Sequence, residues 1–124
     1  MELQFFRCNR CKKIIAMVNP VEIATICCGE IMKPLVPGTT DGAVEKHLPE
    51  VSRNGNEVKV KVGSVDHPMT QEHYIQWICI QTKNGNQRKV LSPNDKPEAS
   101  FLIYDDDELE AVYEYCNLHG LWKK

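Results

Sequence analysis

A chain of 124 residues, 42% hydrophobic and 26% charged, has the composition of a soluble globular protein and room for one ordinary domain or two small ones. Its formal charge of -2 excludes a molecule built as a whole to coat nucleic acid or an anionic membrane. No apolar run approaches the roughly 20 residues needed to cross a bilayer. Met1-Glu2-Leu3-Gln4 lacks the basic start and apolar stretch of a signal peptide, so a cytoplasmic location is expected.

In a reducing compartment, six cysteines point to metal or redox chemistry rather than to disulfides. Four lie within residues 8 to 28, one is Cys79 and one is Cys116, while all four histidines lie at or after position 47. The chain therefore divides into a sulfur-only head, residues 1–36, and a histidine-bearing body, residues 37–124.

The head alternates short apolar stretches (Leu3, Phe5; Ile14, Ile15, Met17) with cysteine-bearing turns. A folding unit below about 40 residues usually needs a disulfide or metal staple. Residues 33–40, with two prolines and a glycine, read as a linker. In the body, residues 57–62 alternate Glu57, Lys59 and Lys61 with Val58, Val60 and Val62, which predicts a half-buried strand. Asn54-Gly55 before it signals a hairpin turn. Residues 74–82 are rich in β-branched and aromatic side chains, and Asn84-Gly85 turns the chain into a strand at 87–91. Residues 99–104 and 109–115 complete the set. The last could be argued as a helix, but the strand-turn rhythm favours a strand, and the whole predicts a small β-sandwich.

Cys8-Asn9-Arg10-Cys11 points two sulfurs at one ion, and Cys27-Cys28 closes a tetrahedron with no open position. Such a site suits structural zinc or a one-electron rubredoxin-like iron. The adjacent pair is unusual: neighbouring side chains diverge, so both can bind one ion only on a strained backbone. In the body, His67 and His73 bracket a turn-like segment. Cys116-Asn117-Leu118-His119-Gly120 places thiolate and imidazole three residues apart, and His47 follows Glu45-Lys46 in what reads as a loop. Binding sites on a sandwich collect at such strand ends, and imidazole with thiolate suits zinc, iron or copper. Four neutral imidazoles and one thiolate around a divalent ion leave a net charge of about +1, with one octahedral position open. A cationic, open site favours a small anion, which Lys46 would help attract. After one-electron oxidation, Glu45 would become a better sixth ligand.

The Cys8, Cys11, Cys27-Cys28 pattern resembles the desulforedoxin-like head of desulfoferrodoxins. Glu45-Lys46-His47, His67, His73 and Cys116-Asn117-Leu118-His119 resemble the active centre of superoxide reductases, in the same order and over nearly the whole chain. The resemblance implies a mainly β protein: a metal-stapled desulforedoxin-like domain, then an immunoglobulin-like sandwich bearing a non-haem iron. His47, His67, His73 and His119 would surround that iron, with Cys116 axial. Two irons per chain are implied, the four-cysteine one not essential to the chemistry. Superoxide would be reduced to hydrogen peroxide, with Lys46 orienting it and Glu45 capping the oxidised iron. A rubredoxin-like donor and a homodimer are implied as partners.

Cys79 reads as core, since a free cysteine packs like a small hydrophobe, and Trp77, Tyr74 and Phe101 read likewise. The acidic run Asp105-Asp106-Asp107-Glu108 reads as a solvated turn. Two other classes of function compete with the enzyme: a non-catalytic iron electron-transfer protein, which predicts no open position, and a zinc-stabilised interaction domain with incidental histidines.

Overall fold

A computed structural model describes residues 2–124. The chain divides into two compact units, Met1–Val36 and Pro37–Lys124.

In the first unit, β1 (Phe5–Arg7) is the centre of a three-stranded antiparallel sheet between β2 (Ile14–Ala16) and β5 (Lys33–Pro34). A second, two-stranded ribbon pairs β3 (Ile26–Cys27) with β4 (Glu30–Ile31). Among the described residues, the buried apolar ones here are Phe5, Cys8 and Met32, one of them a metal-donor candidate. Residues 33–40 are not a plain linker: Lys33 and Pro34 pair with Arg7 and Phe6 in β5. Proline is tolerated there because β5 is an edge strand.

The second unit is a sandwich of seven strands in two antiparallel sheets. After a single helical turn, α1 (Val44–His47), come β6 (Pro49–Asn54) and β7 (Glu57–Val62). They are followed by β8 (Ile75–Thr82), β9 (Gly85–Val90), β10 (Glu98–Leu102), β11 (Leu109–Cys116) and β12 (Gly120–Lys123). One sheet has the order β10-β7-β6 and the other β12-β11-β8-β9. Val58, Val60 and Val62 of β7 are fully buried against Ile78 and Ile80 of β8, Phe101 of β10 and Val112 of β11. Each such aliphatic side chain contributes about 1.5–3 kcal/mol on burial.

The alternation at 57–62 produces the strand it predicts, and 109–115 is a strand rather than a helix. Strands β6 and β12 are not signalled by pattern. Pro-Glu-Val-Ser-Arg-Asn in β6 has little alternation because it lies at a sheet edge and is mostly exposed. The first hairpin turns on Gly55 and Asn56, with Gly55 at φ +62°. The second turns one residue earlier than expected, on Lys83 and Asn84, since Thr82 pairs with Gly85. A carboxylate outside the hairpin secures it: Asn84 N–H donates to Asp107 Oδ1 at 3.2 Å, and Lys83 N–H to the Glu108 carbonyl at 2.9 Å. The acidic run is therefore partly a structural brace, and hydrogen bonding, first from Thr82, lowers the Asp107 pKa.

Cys79 is buried, as is Trp77, on the face of β8 opposite Ile78 and Ile80. Trp77 stacks on Tyr115 there, with ring centroids 5.6 Å apart and planes at 11°. Phe101 is core, whereas Tyr74 is half-buried. Along the open side of the sandwich, β9 reaches back to the other sheet. Gln87 Nε2 donates to the Leu102 carbonyl at 2.8 Å, and Lys89 Nζ donates to the Ser100 carbonyl while lying over the Phe101 ring, 5.2 Å from its centroid.

Candidate metal centres

In the first unit, the sulfurs of Cys8, Cys11, Cys27 and Cys28 all lie within 4.8 Å of one another. The first pair is shaped by a tight knuckle: Lys12 N–H donates to the Cys8 carbonyl at 2.9 Å and Cys11 N–H to Cys8 Sγ at 3.4 Å. That amide is the main reason the Cys8 thiol falls to a pKa of about 6. The second pair sits on a strained turn, with Cys28 at φ +53° and Gly29 at φ +74°. A left-handed non-glycine residue costs about 1–2 kcal/mol. The conformation turns adjacent sulfurs toward one point, Cys27 Sγ and Cys28 Sγ being 4.0 Å apart and Cys11 Sγ and Cys27 Sγ 3.7 Å apart. Sulfurs at about 2.3 Å from one tetrahedral ion stand about 3.8 Å apart. Hydrogen bonding with the Cys11 sulfur, then with Cys27, pushes the Cys28 thiol up to about 12. Four thiolates at this spacing need a cation among them.

The second centre collects residues from four parts of the chain. His47 closes α1 rather than lying in a loop. That single turn has no side-chain cap and is seated on the chain after β7: Gly63 N–H donates to the Leu48 carbonyl at 3.1 Å, and Val65 N–H and Ser64 Oγ donate to the Glu45 carbonyl at 3.0 and 3.2 Å. Gly63, at φ +81°, is required there, since a Cβ would stand 2.7 Å from the Lys46 carbonyl oxygen and 2.8 Å from that of Glu45. His67 and His73 flank β8's entry loop, while Cys116 ends β11 and His119 follows in the turn to β12. Asn117 stitches these two regions together: its Oδ1 accepts from Tyr74 N–H at 3.0 Å and its Nδ2 donates to the Glu72 carbonyl at 2.9 Å. Neither Gly63 nor Asn117 is assigned a role from the sequence pattern, since each acts on a distant part of the chain.

The four imidazoles form a closed ring of edge-to-face neighbours. Centroids are 4.6 Å apart for His47 and His67, 4.7 Å for His67 and His73, 5.0 Å for His73 and His119, and 4.8 Å for His119 and His47, with planes at 76° to 87°. His47 Nδ1–H donates to the Ala43 carbonyl at 2.8 Å and His67 Nδ1–H to the Pro68 carbonyl at 2.6 Å. Those bonds fix the tautomers, leaving a lone pair on each Nε2. The two Nε2 atoms nevertheless lie 3.1 Å apart, and His119 Nδ1 is also 3.1 Å from His47 Nε2. Facing lone pairs repel unless a cation lies between them, and nitrogens bound side by side at about 2.1 Å stand about 3.0 Å apart. His73 Nε2 is buried without a hydrogen-bond partner, as a donor reserved for a metal would be. Cys116 Sγ completes the set, 3.9 Å from His119 Nδ1 and within 4.8 Å of every other donor.

Burial lowers the pKa of His47 and His73 and takes His67 to about 4, keeping these rings neutral and able to coordinate at neutral pH. The Cys116 thiol is raised by burial, with the Leu118 and His119 amides partly offsetting it. The donor set thus fits a divalent transition metal such as iron at both clusters. Lys46 is exposed, and its charge is felt by both His47 and His73. Glu45 is exposed and is not among the clustered donors; it lines a cavity of about 360 Å³ with Leu48, Glu50, Ser64 and Lys124.

Comparison with known proteins agrees with this geometry. Residues 39–124 match the family model described as Desulfoferrodoxin. A desulfoferrodoxin homolog from Archaeoglobus fulgidus is 42% identical over 121 residues, covering 98% of this chain and 95% of the relative. The desulfoferrodoxin of Nitratidesulfovibrio vulgaris is 42% identical over 122 residues, with the same coverage. The crystal structure of the superoxide reductase from Treponema pallidum superposes with a TM-score of 0.85 at 44% identity, covering 100% of this chain and 99% of that one. The one-iron superoxide reductase of Giardia intestinalis matches 64% of this chain and 95% of its own, with 37% identity and a TM-score of 0.55. With its four-cysteine head, its four-histidine, one-cysteine body and this kinship along almost its full length, the chain belongs to the desulfoferrodoxin family.

Proposed function

We propose that the protein is a superoxide reductase, which adds one electron and two protons to superoxide to give hydrogen peroxide and releases no oxygen. The observation that carries this reading is the square of four imidazoles with a buried thiolate beside it, five donors around which an octahedral ion would keep one position for a small anion. His47, His67, His73, His119 and Cys116 would hold an iron, which when bound would supply the single electron.

The remaining work falls to the chain itself. Lys46 draws the superoxide anion toward the histidine ring and holds it by charge. The Cys116 sulfur, buried and donating electron density, lowers the cost of giving up the electron. His47 and His67 keep their Nδ1 protons on backbone carbonyls, so the protons of the product come from the solvent side rather than from the ligands. Glu45, on an exposed and uncapped single turn, is the carboxylate offered to the more positive oxidised centre. An external one-electron donor of rubredoxin type restores the reduced state. The four-cysteine head, residues 1–36, holds a second iron that is not required for the chemistry of residues 37–124. A cytoplasmic homodimer completes the reading.

The test is anaerobic purification followed by metal analysis and a stoichiometric pulse of superoxide. Two irons per chain and about one peroxide per superoxide, without oxygen, are expected. Oxygen evolution would make the protein a dismutase, and iron-loaded protein inert to superoxide would overturn the reading.

A further inference from the structure

Two of the four histidines share a support that no metal chemistry requires. Trp122, 5% exposed, stacks on the His47 ring with centroids 4.9 Å apart and planes at 21°. Its Nε1–H donates to the His119 carbonyl at 3.0 Å. The Thr40 hydroxyl donates to that same carbonyl, and the Ala43 carbonyl receives His47 Nδ1–H. Between them lies Gly42, where a Cβ would stand 3.2 Å from each of His47 Cε1, His119 Cβ and Trp122 Cζ2. Gly120, at φ +79°, turns the chain so closely past Thr40 that its own Cβ would meet Thr40 Cγ2 at 3.2 Å. His47 and His119 are 72 residues apart in sequence, yet one indole and one four-residue segment hold both.

We propose that Trp122 and residues 40–43 form a clamp that sets the ring planes of His47 and His119, making Trp122 and Gly42 positioning residues of the body's iron centre. The inference rests on the reading that this cluster holds iron. Stacking fixes the His47 plane, since rotating the ring would drive its edge into the indole. The doubly accepted carbonyl of His119 fixes the turn that aims its Nδ1 inward. Gly42 lets the segment close over both rings, and any side chain there must push one of three neighbours that are already in contact. Groups that orient metal ligands typically change metal affinity by about 10–100-fold when removed.

The experiment compares iron-loaded wild type with Trp122→Leu, Trp122→Phe and Gly42→Ala. The readouts are the thiolate-to-ferric-iron absorption band, the electron paramagnetic resonance line shape and the rate of iron release to a chelator. The four-sulfur spectrum of the head serves as an internal reference. Trp122→Leu and Gly42→Ala are expected to shift the band, broaden the resonance and speed iron release by about tenfold or more. Trp122→Phe, which keeps an aromatic stack, is expected to restore most of the wild-type spectrum. Should Trp122→Leu fail to fold, Gly42→Ala and Trp122→Phe decide the matter. Spectra and release rates unchanged in Gly42→Ala, or Trp122→Phe as perturbed as Trp122→Leu, overturn the clamp. A wild type that takes up no iron at this cluster overturns the functional reading itself, a different and separately visible result.

Discussion

The two metal centres are built on opposite physical plans. In the head, the buried apolar residues among those described are Phe5, Met32 and the donor Cys8, so a metal ligand is itself part of a very small core while Cys11 and Cys28 are exposed. In the body, the donors sit at or near the ends of elements whose valines, isoleucines and phenylalanine make a much larger core, of which Cys116 is the one donor member. With so small a core the head is expected to need its metal in order to fold, whereas the body has enough apolar burial to be expected to fold around its donors without one. A chain can thus use one kind of ion as a staple and as a reagent, depending on how much apolar surface surrounds it.

The sharpest way to break this contrast is to remove the head's metal. Cys8→Ser, or chelation, is expected to expose the amides of Cys8, Met32 and Leu35 to hydrogen exchange almost completely, while β7, β8 and β11 stay protected and peroxide formation continues. Equal loss of protection in both units would show that they fold as one. Next in size is Gly63→Ala, which places a Cβ 2.5 Å from the Val65 carbonyl oxygen at a positive φ. A loss of about 2–4 kcal/mol in the body's unfolding free energy is expected from this clash, with the head's four-sulfur spectrum unchanged.

Glu114 offers a test of the body's core. It is fully buried, neither carboxylate oxygen has a hydrogen-bond partner among the described residues, and burial raises its pKa to about 9. Because the folded protein holds this proton more tightly than the unfolded chain, its contribution is complete below pH 4.5 and is lost as pH rises toward 9. By pH 7 the loss is about 3 kcal/mol. Glu114→Gln is therefore expected to match wild type near pH 4.5 and to be more stable at pH 7 in metal-free denaturation curves. Subtracting the two proteins cancels the histidines, and parallel pH profiles would show that the carboxyl finds a partner. The smallest effect is kinetic: Lys46→Ala is expected to slow the reaction with superoxide severalfold at low ionic strength and to flatten its salt dependence. An unchanged rate would remove Lys46 from the mechanism.

What could be read from sequence divides along physical lines. The donors announce themselves by residue type and spacing, because metal coordination draws on few side chains. Residues 57–62 announce a strand because one face is buried and the other wet. β6 does not, since an edge strand carries little alternation, and α1 is too short for periodicity to register. Trp122, Gly42, Gly63 and Asn117 were silent for another reason: each acts through a neighbour more than 15 residues away, and no local pattern encodes a contact of that kind. The turn at Cys28 lies between these cases, since adjacent cysteines imply strain but not that the strain takes the form of a left-handed residue.

The reach of Gln87 and Lys89 from β9 to the carbonyls of Leu102 and Ser100 has a consequence for how the protein behaves among its own copies. A sandwich normally leaves carbonyls bare along its open side, where a stray strand can add itself. Here two long polar side chains occupy acceptors of β10, and Lys89 adds a charge that any incoming strand would have to desolvate. Occupied acceptors and a charge to be desolvated make this edge a poorer template for an added strand than a bare one would be.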